Sequence, residues 1–197
     1  MSRIPPVSSE EAPAASQRLL ERLEHQLGRV SNSLRTMANS PAALEGYLGL
    51  SNCLDKGSLP PHTGRRIALA IAEFNGCDYS LSSNIYMARK FARLGDCEIT
   101  ANRNGSSNDP KAEAAVRFAV AVARERGHIS RQQFDALIAA GYDHAQAVEI
   151  VHHVALASLV DYLNQVAGTD IDFPVVRTRK TPGSREACPR SLKENNT

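Results

Sequence analysis

Tryptophan is absent from this 197-residue chain, and tyrosine and phenylalanine occur only five times each. With few aromatics and much alanine and leucine, the composition favours helix over sheet. No stretch alternates apolar and polar residues at period two for long enough to be a strand. No apolar run approaches the ~20 residues needed to span a bilayer. The opening Met1-Ser2-Arg3-Ile4-Pro5-Pro6 lacks the apolar core of a secretory signal, so a cytoplasmic location is expected.

A formal charge of +2 is too small to imply a nucleic-acid or membrane partner. Even that excess is local. Residues 175–197 carry six Lys or Arg against two Glu, a net of +4, which leaves about −2 for the rest. The four cysteines, Cys53, Cys77, Cys97 and Cys188, match no zinc-binding spacing. Without a secretory signal they are expected to be mostly reduced thiols. No metal and no cofactor is expected.

What is present reads as helix nearly throughout. Leu19, Leu20, Leu23 and Leu27 step at helical intervals, predicting a first amphipathic helix over 14–28. Ser40 followed by Pro41 predicts a capped helix to about Lys56, closed by Gly57. Pro60-Pro61 starts another, which runs to a break at Asn75-Gly76. The next is predicted from about Cys77 to Leu94, then a short one over 96–103. Asp109-Pro110 opens the following helix, which ends at Gly127. Ser130 with Gln133 and Asp143 with Gln146 have capping-box spacing and start the last two. The fold class is all-α, with about seven or eight helices. Residues 1–12 and 177–197 are polar, with Pro, Ser and Gly, and are expected to be a flexible N-terminus and a basic disordered tail flanking a domain over 13–176.

The segment Asn75-Gly76-Cys77-Asp78-Tyr79-Ser80-Leu81-Ser82-Ser83-Asn84 has the outline of a thiol redox site borne on a helix. A Cys-x-x-Cys-x-x-x-His pattern places two sulfurs and an imidazole on one helix face. Here Cys77 holds the first thiol position, Ser80 stands at the second, and Asn84 stands at the imidazole.

The run Ala72–Tyr79, Tyr86–Arg89, and the later segments Asp109–Ala112, Arg126–Ser130, Glu149–Ala155 and Asp170–Pro174 resemble the carboxymuconolactone decarboxylase superfamily, in its AhpD-like alkylhydroperoxidase branch. The resemblance spans about residues 15–176 and implies a single AhpD-like helical bundle, self-association into a homo-oligomer, and reduction of organic hydroperoxides with a thiol reductant as partner. In the enzymes it resembles, the second cysteine attacks peroxide, helped by the histidine and by a glutamate twelve residues before the first cysteine. The first cysteine then closes a disulfide.

Serine at 80 cannot form the sulfenate and disulfide of that cycle. Asparagine at 84 accepts no proton near neutral pH. The glutamate's position is Arg65, which reverses the charge. The two-thiol cycle is therefore expected to be weakened or lost.

At Cys77 two readings stand side by side. The helix start and a cationic Arg65 favour a reactive thiolate; the other reading is a small buried hydrophobe. Glu73, Tyr79 and His153, inside the resembling segments, are candidates for support. His153 aligns with a familiar family histidine, and a core or interface role is the competing reading. Glu149-x-x-His152 has di-iron spacing, but Gly127 interrupts the matching copy before His128. Ser80 lacks the elbow and base of a hydrolase nucleophile. Three function classes follow: an altered thiol-dependent peroxidase, a non-catalytic helical oligomer or small-molecule binder, and a lactone decarboxylase-like enzyme.

Overall fold

Local signals start most of the helices where the sequence places them. In a computed structural model that describes residues 2–60 and 62–179, nine helices are present among the described residues. The first is α1 (Ala14–Leu27), followed by α2 (Asn32–Met37) and α3 (Pro41–Leu54). Ser40 Oγ accepts from the Ala43 N–H at 3.3 Å, with Pro41 in the first turn. Then come α4 (Thr63–Phe74), α5 (Asp78–Lys90), α6 (Asp96–Arg103) and α7 (Pro110–Arg124). The last pair, α8 (Arg131–Ala139) and α9 (His144–Ala167), both begin with complete capping boxes, at Ser130 with Gln133 and at Asp143 with Gln146. The architecture is all-helical, with one helix more than expected. The extra helix is α2, only six residues long, and its first residue follows a Ser31 whose side chain makes no cap bond.

α4 is the axle of the bundle, packed against α5, α6, α7 and α9. Its apolar residues point into two cores. Ile67 and Ile71 join Phe118, Leu137, Ile150 and Val154 from α7, α8 and α9. Leu69 faces the other way and joins Leu81, Ile85 and Ile99 from α5 and α6. A third core, with Leu20, Leu23, Met37 and Leu44, ties α1, α2 and α3 together. Each fully buried Leu or Ile contributes roughly 1.5–3 kcal/mol. Because α4 is held on both sides, its polar residues Arg65 and Glu73 are fixed in place as well.

The N-terminal residues expected to be flexible lie against the bundle. Arg3 N–H donates to the Ala167 carbonyl at 2.6 Å, Asn39 Nδ2 donates to the Pro5 carbonyl at 3.0 Å, and Ala12 is buried in the third core. The start of the predicted tail is likewise held. The Thr178 N–H and hydroxyl both donate to Asp78 Oδ1, Arg177 pairs with Asp78 Oδ2 at 2.8 Å, and the Arg179 N–H donates to Glu73. The rest of that tail, residues 180–197, lies outside the described residues, as does Pro61 in the predicted α4 start. No described helix is long and apolar enough to cross a membrane.

Candidate functional site

α4 ends at Phe74, and Gly76, at φ +68°, turns the chain into α5. That left-handed backbone suits glycine. Cys77 then sits in extended backbone as the N-cap of α5, where its sulfur does the work usually given to Ser or Asp oxygen. The Ser80 N–H donates to Cys77 Sγ at 3.5 Å, and Cys77 Sγ lies 3.3 Å from Ser80 Oγ. Both residues are almost wholly shielded, Cys77 at 2% and Ser80 at 3% exposure. The two positions where the resembled family keeps its sulfurs are thus in contact.

α9 adds a residue that the sequence reading passed over. Asp161, 1% exposed, accepts from Asn75 Nδ2 at 2.8 Å, and its carboxyl is also hydrogen-bonded by the Ser80 and Cys77 side chains. Burial pushes this carboxyl up to about 6, against the pull of those three hydrogen bonds. Burial also pushes the Cys77 thiol up; the Asp161 charge adds to the rise, and the hydrogen bonds with Ser80 oppose it. Cys77 is therefore a protonated thiol at neutral pH. Of the two readings of Cys77, this burial agrees with the small buried hydrophobe.

Arg65 instead turns to Asn84. Its Nη1 donates to Asn84 Oδ1 at 3.3 Å, and Asn84 Nδ2 donates to the Ala68 carbonyl at 3.4 Å. Burial lowers the Arg65 pKa, while the Tyr47 hydroxyl and the Asp55 carboxylate act to raise it. His153 lies across the bare backbone of Gly64, where a Cβ would come within 2.6 Å of its Cε1. Burial lowers the imidazole pKa, so His153 is neutral at physiological pH.

The other candidate residues make contacts between elements. Glu73 pairs with Arg103 at 2.7 Å and joins α4 to α6. Tyr79 accepts from the Ser33 N–H at 3.0 Å and donates to Asp172 at 2.7 Å, pinning α2 and residues 170–173 to α5. Burial raises its phenol pKa. Glu149 accepts from the Ser58 and Leu59 N–H groups and so closes the connection between α3 and α4. His152 Nδ1 lies 2.8 Å from the Val148 carbonyl on the exposed side of α9. Cys53 and Cys77 are free thiols, and Cys97 is disulfide-bonded. A cleft of about 290 Å³ lined by Ile85, Tyr86, Arg89 and Pro174 opens on the side of α5 opposite Ser80 and Asn84.

The signal for Asp161 was its place in an apolar run, Leu159-Val160-Asp161-Tyr162-Leu163. Asn75 was visible only as part of a turn, and nothing in the sequence places Tyr47 beside Arg65.

No protein-family model and no curated protein matches this chain. Among solved structures, it superposes on the alkylhydroperoxidase AhpD core of an uncharacterized peroxidase-related protein from Ralstonia eutropha JMP134. The TM-score is 0.77 at 19% identity, over 87% of this chain and 92% of that one. An uncharacterized peroxidase-related protein from Silicibacter sp. TM1040 gives 0.73 at 18% identity, over 85% and 89%. The debrominase Bmp8 gives 0.71 at 22% identity, over 98% and 96%; a cysteine-to-alanine variant of Bmp8 has been solved with 2,3,4-tribromopyrrole. Together with the helical architecture around α4, these likenesses show that the chain has the AhpD-like fold.

Proposed function

We propose that this chain is an AhpD-like, peroxidase-related protein in which thiol-dependent hydroperoxide reduction is weakened to a trace or lost. The observation that carries this reading is the buried contact between Cys77 and Ser80. A thiol that stays protonated faces a hydroxyl at the distance where a disulfide partner would be needed. Peroxide attack requires a thiolate, and turnover requires a second sulfur. With an organic hydroperoxide and a dithiol reductant, the purified protein is expected to consume peroxide no faster than the reductant does alone. Cys77→Ala is expected to leave that baseline unchanged. Rapid peroxide loss that disappears with Cys77→Ala would overturn the proposal and restore Cys77 as a working redox group.

The same fold in a debrominase supports a second reading, a binder or altered enzyme for a small molecule. A thiol reductant would then be needed only if Cys77 is turned over.

Self-association belongs to this proposal. On α9, Val148, His152, Ala155, Leu159, Tyr162 and Val166 alternate four and three residues apart, the spacing of a helix–helix seam. All six face solvent, with Leu159 at 47%, Tyr162 at 59% and Val166 at 61% exposure. The neighbouring α3 is apolar in composition yet buries only Leu44. A second copy of this chain would cover both faces. Light scattering at micromolar concentration is expected to show a dimer or larger, and Leu159→Glu with Tyr162→Glu is expected to give a monomer that keeps its helical circular dichroism. A monomeric parent protein would remove this part of the proposal.

A further inference from the structure

A half-buried guanidinium with one hydrogen bond and no ion pair is an unusual feature, since drawing a charge out of water is costly unless it is paired. Arg65 is such a group. Among the described residues its one hydrogen bond is to Asn84 Oδ1, and it makes no ion pair. Asp55, at the exposed C-terminal end of α3, acts on it through space without closing to contact. The rest of its planar fork makes no hydrogen bond to the described residues and is open to an acceptor.

The surroundings favour an incoming acceptor. Tyr47, from α3, is close enough for its hydroxyl to couple electrostatically to Arg65. His153, from α9, packs on Gly64 next in sequence to Arg65, is neutral, and makes no hydrogen bond among the described residues. Its free ring N–H is a further donor. Arg65 is not sealed off: it keeps partial exposure, as do Tyr47, Asn84 and His153.

We propose that Arg65, oriented by Asn84 and flanked by Tyr47 and His153, is the base of a binding site for a small oxyanion, a carboxylate or a phosphate. The guanidinium fork matches two oxygens of either group, and charge-assisted pairs of this kind are about twice as strong as neutral hydrogen bonds. The ligand's negative charge supplies the counter-ion that the fold leaves out. The aromatic ring of Tyr47 and the imidazole of His153 border the site, which suits a compact or planar ligand. The site stands whether or not Cys77 turns over.

Inorganic phosphate and benzoate are the probes, titrated separately at constant ionic strength and followed by calorimetry. The side-chain Nε–H signal of Arg65 in isotope-labelled parent protein provides a readout that needs no substitution. Saturable binding of phosphate, benzoate or both is expected, with a shift of the Arg65 signal. Phosphate alone identifies a phosphate site, benzoate alone a carboxylate site, and both a site for the shared oxyanion chemistry. Arg65→Gln is expected to weaken binding roughly tenfold or more, and Arg65→Lys less, because the charge is kept and the fork is lost. Neither anion moving the Arg65 signal of the parent protein would overturn the proposal. So would undiminished affinity in an Arg65→Gln protein that retains the parent's circular dichroism.

Discussion

Combining Ser80→Cys, Asn84→His and Arg65→Glu is expected to switch on hydroperoxide reduction, by about a hundredfold or more over the parent chain. A positioned general base alone is worth on the order of 10²–10⁴-fold. The geometry for this gain is already built. Ser80 Oγ lies 3.3 Å from Cys77 Sγ, so a sulfur introduced at position 80 reaches Cys77 by a small side-chain rotation. Asn84 follows one helical turn later on the same face of α5 and already contacts position 65 at 3.3 Å. The introduced imidazole and carboxylate would inherit that contact with the direction of charge restored.

Each part of the triple change has a separate expected result. Ser80→Cys alone is expected to form a disulfide with Cys77 on oxidation, yet to react slowly with peroxide, because the added thiol is buried and lacks the imidazole that the family pattern places at position 84. Arg65→Glu alone is expected to destabilise the fold, since it replaces the cation facing Tyr47 and Asp55 with a second anion. Mass spectrometry of the oxidised protein and peroxide-consumption assays check these outcomes. A triple variant with parental circular dichroism and no activity above the parent would show that the loss of function lies outside these three positions.

Much of the fold was legible because its helices announce themselves locally. The capping boxes at Ser130 and Asp143 and the Ser40-Pro41 start are short-range chemistry, and the structure places α8, α9 and α3 at those signals. α2 left no such mark. At six residues it is too short to show a repeating apolar face or to be stable by itself, and packing of Met37 in the third core holds it. The site was legible only in outline. Cys77, Ser80 and Asn84 lie on one stretch of helix, so spacing alone puts them together. Glu73 and Tyr79 are neighbours of Cys77 in sequence but turn away from it, to Arg103 and to Asp172. Asp161 is eighty-four residues downstream of Cys77, and only the packing of α9 against α4 and α5 brings it to the sulfur. A local pattern specifies which groups share a helix face. It says nothing about what a distant helix lays against that face.

Asp161→Asn is expected to make the protein more stable at neutral pH and to leave it unchanged in acid. The Asp161 carboxyl is raised in the folded protein from an ordinary 3.8 to about 6, chiefly by burial. Below about pH 4 the group is protonated both folded and unfolded and costs nothing. Between about pH 4 and 6 the unfolded chain releases the proton while the folded chain retains it, so stability falls as pH rises. Above about 6 the full difference is reached. A shift of about two units corresponds to roughly 3 kcal/mol at 1.36 kcal/mol per unit. Asparagine keeps the acceptor oxygen that Asn75 Nδ2 uses at 2.8 Å and removes the charge. At pH 7.5 the variant is expected to melt several degrees higher, at about 2–4 °C per kcal/mol for a chain of this size. Near pH 4 the two melting temperatures are expected to meet. Leucine at this position would instead remove the shorter of the two acceptors of the Asn75 amide, leaving Ser158 Oγ at 3.4 Å, and is expected to destabilise at every pH. Removing the neighbouring charge also lowers the thiol, so alkylation of Cys77 in Asp161→Asn is expected to begin at lower pH than in the parent. Thermal melts across pH 4–8 and the pH profile of iodoacetamide labelling read both effects; a stability difference that is constant with pH would mean that Asp161 is not the group that titrates beside Cys77.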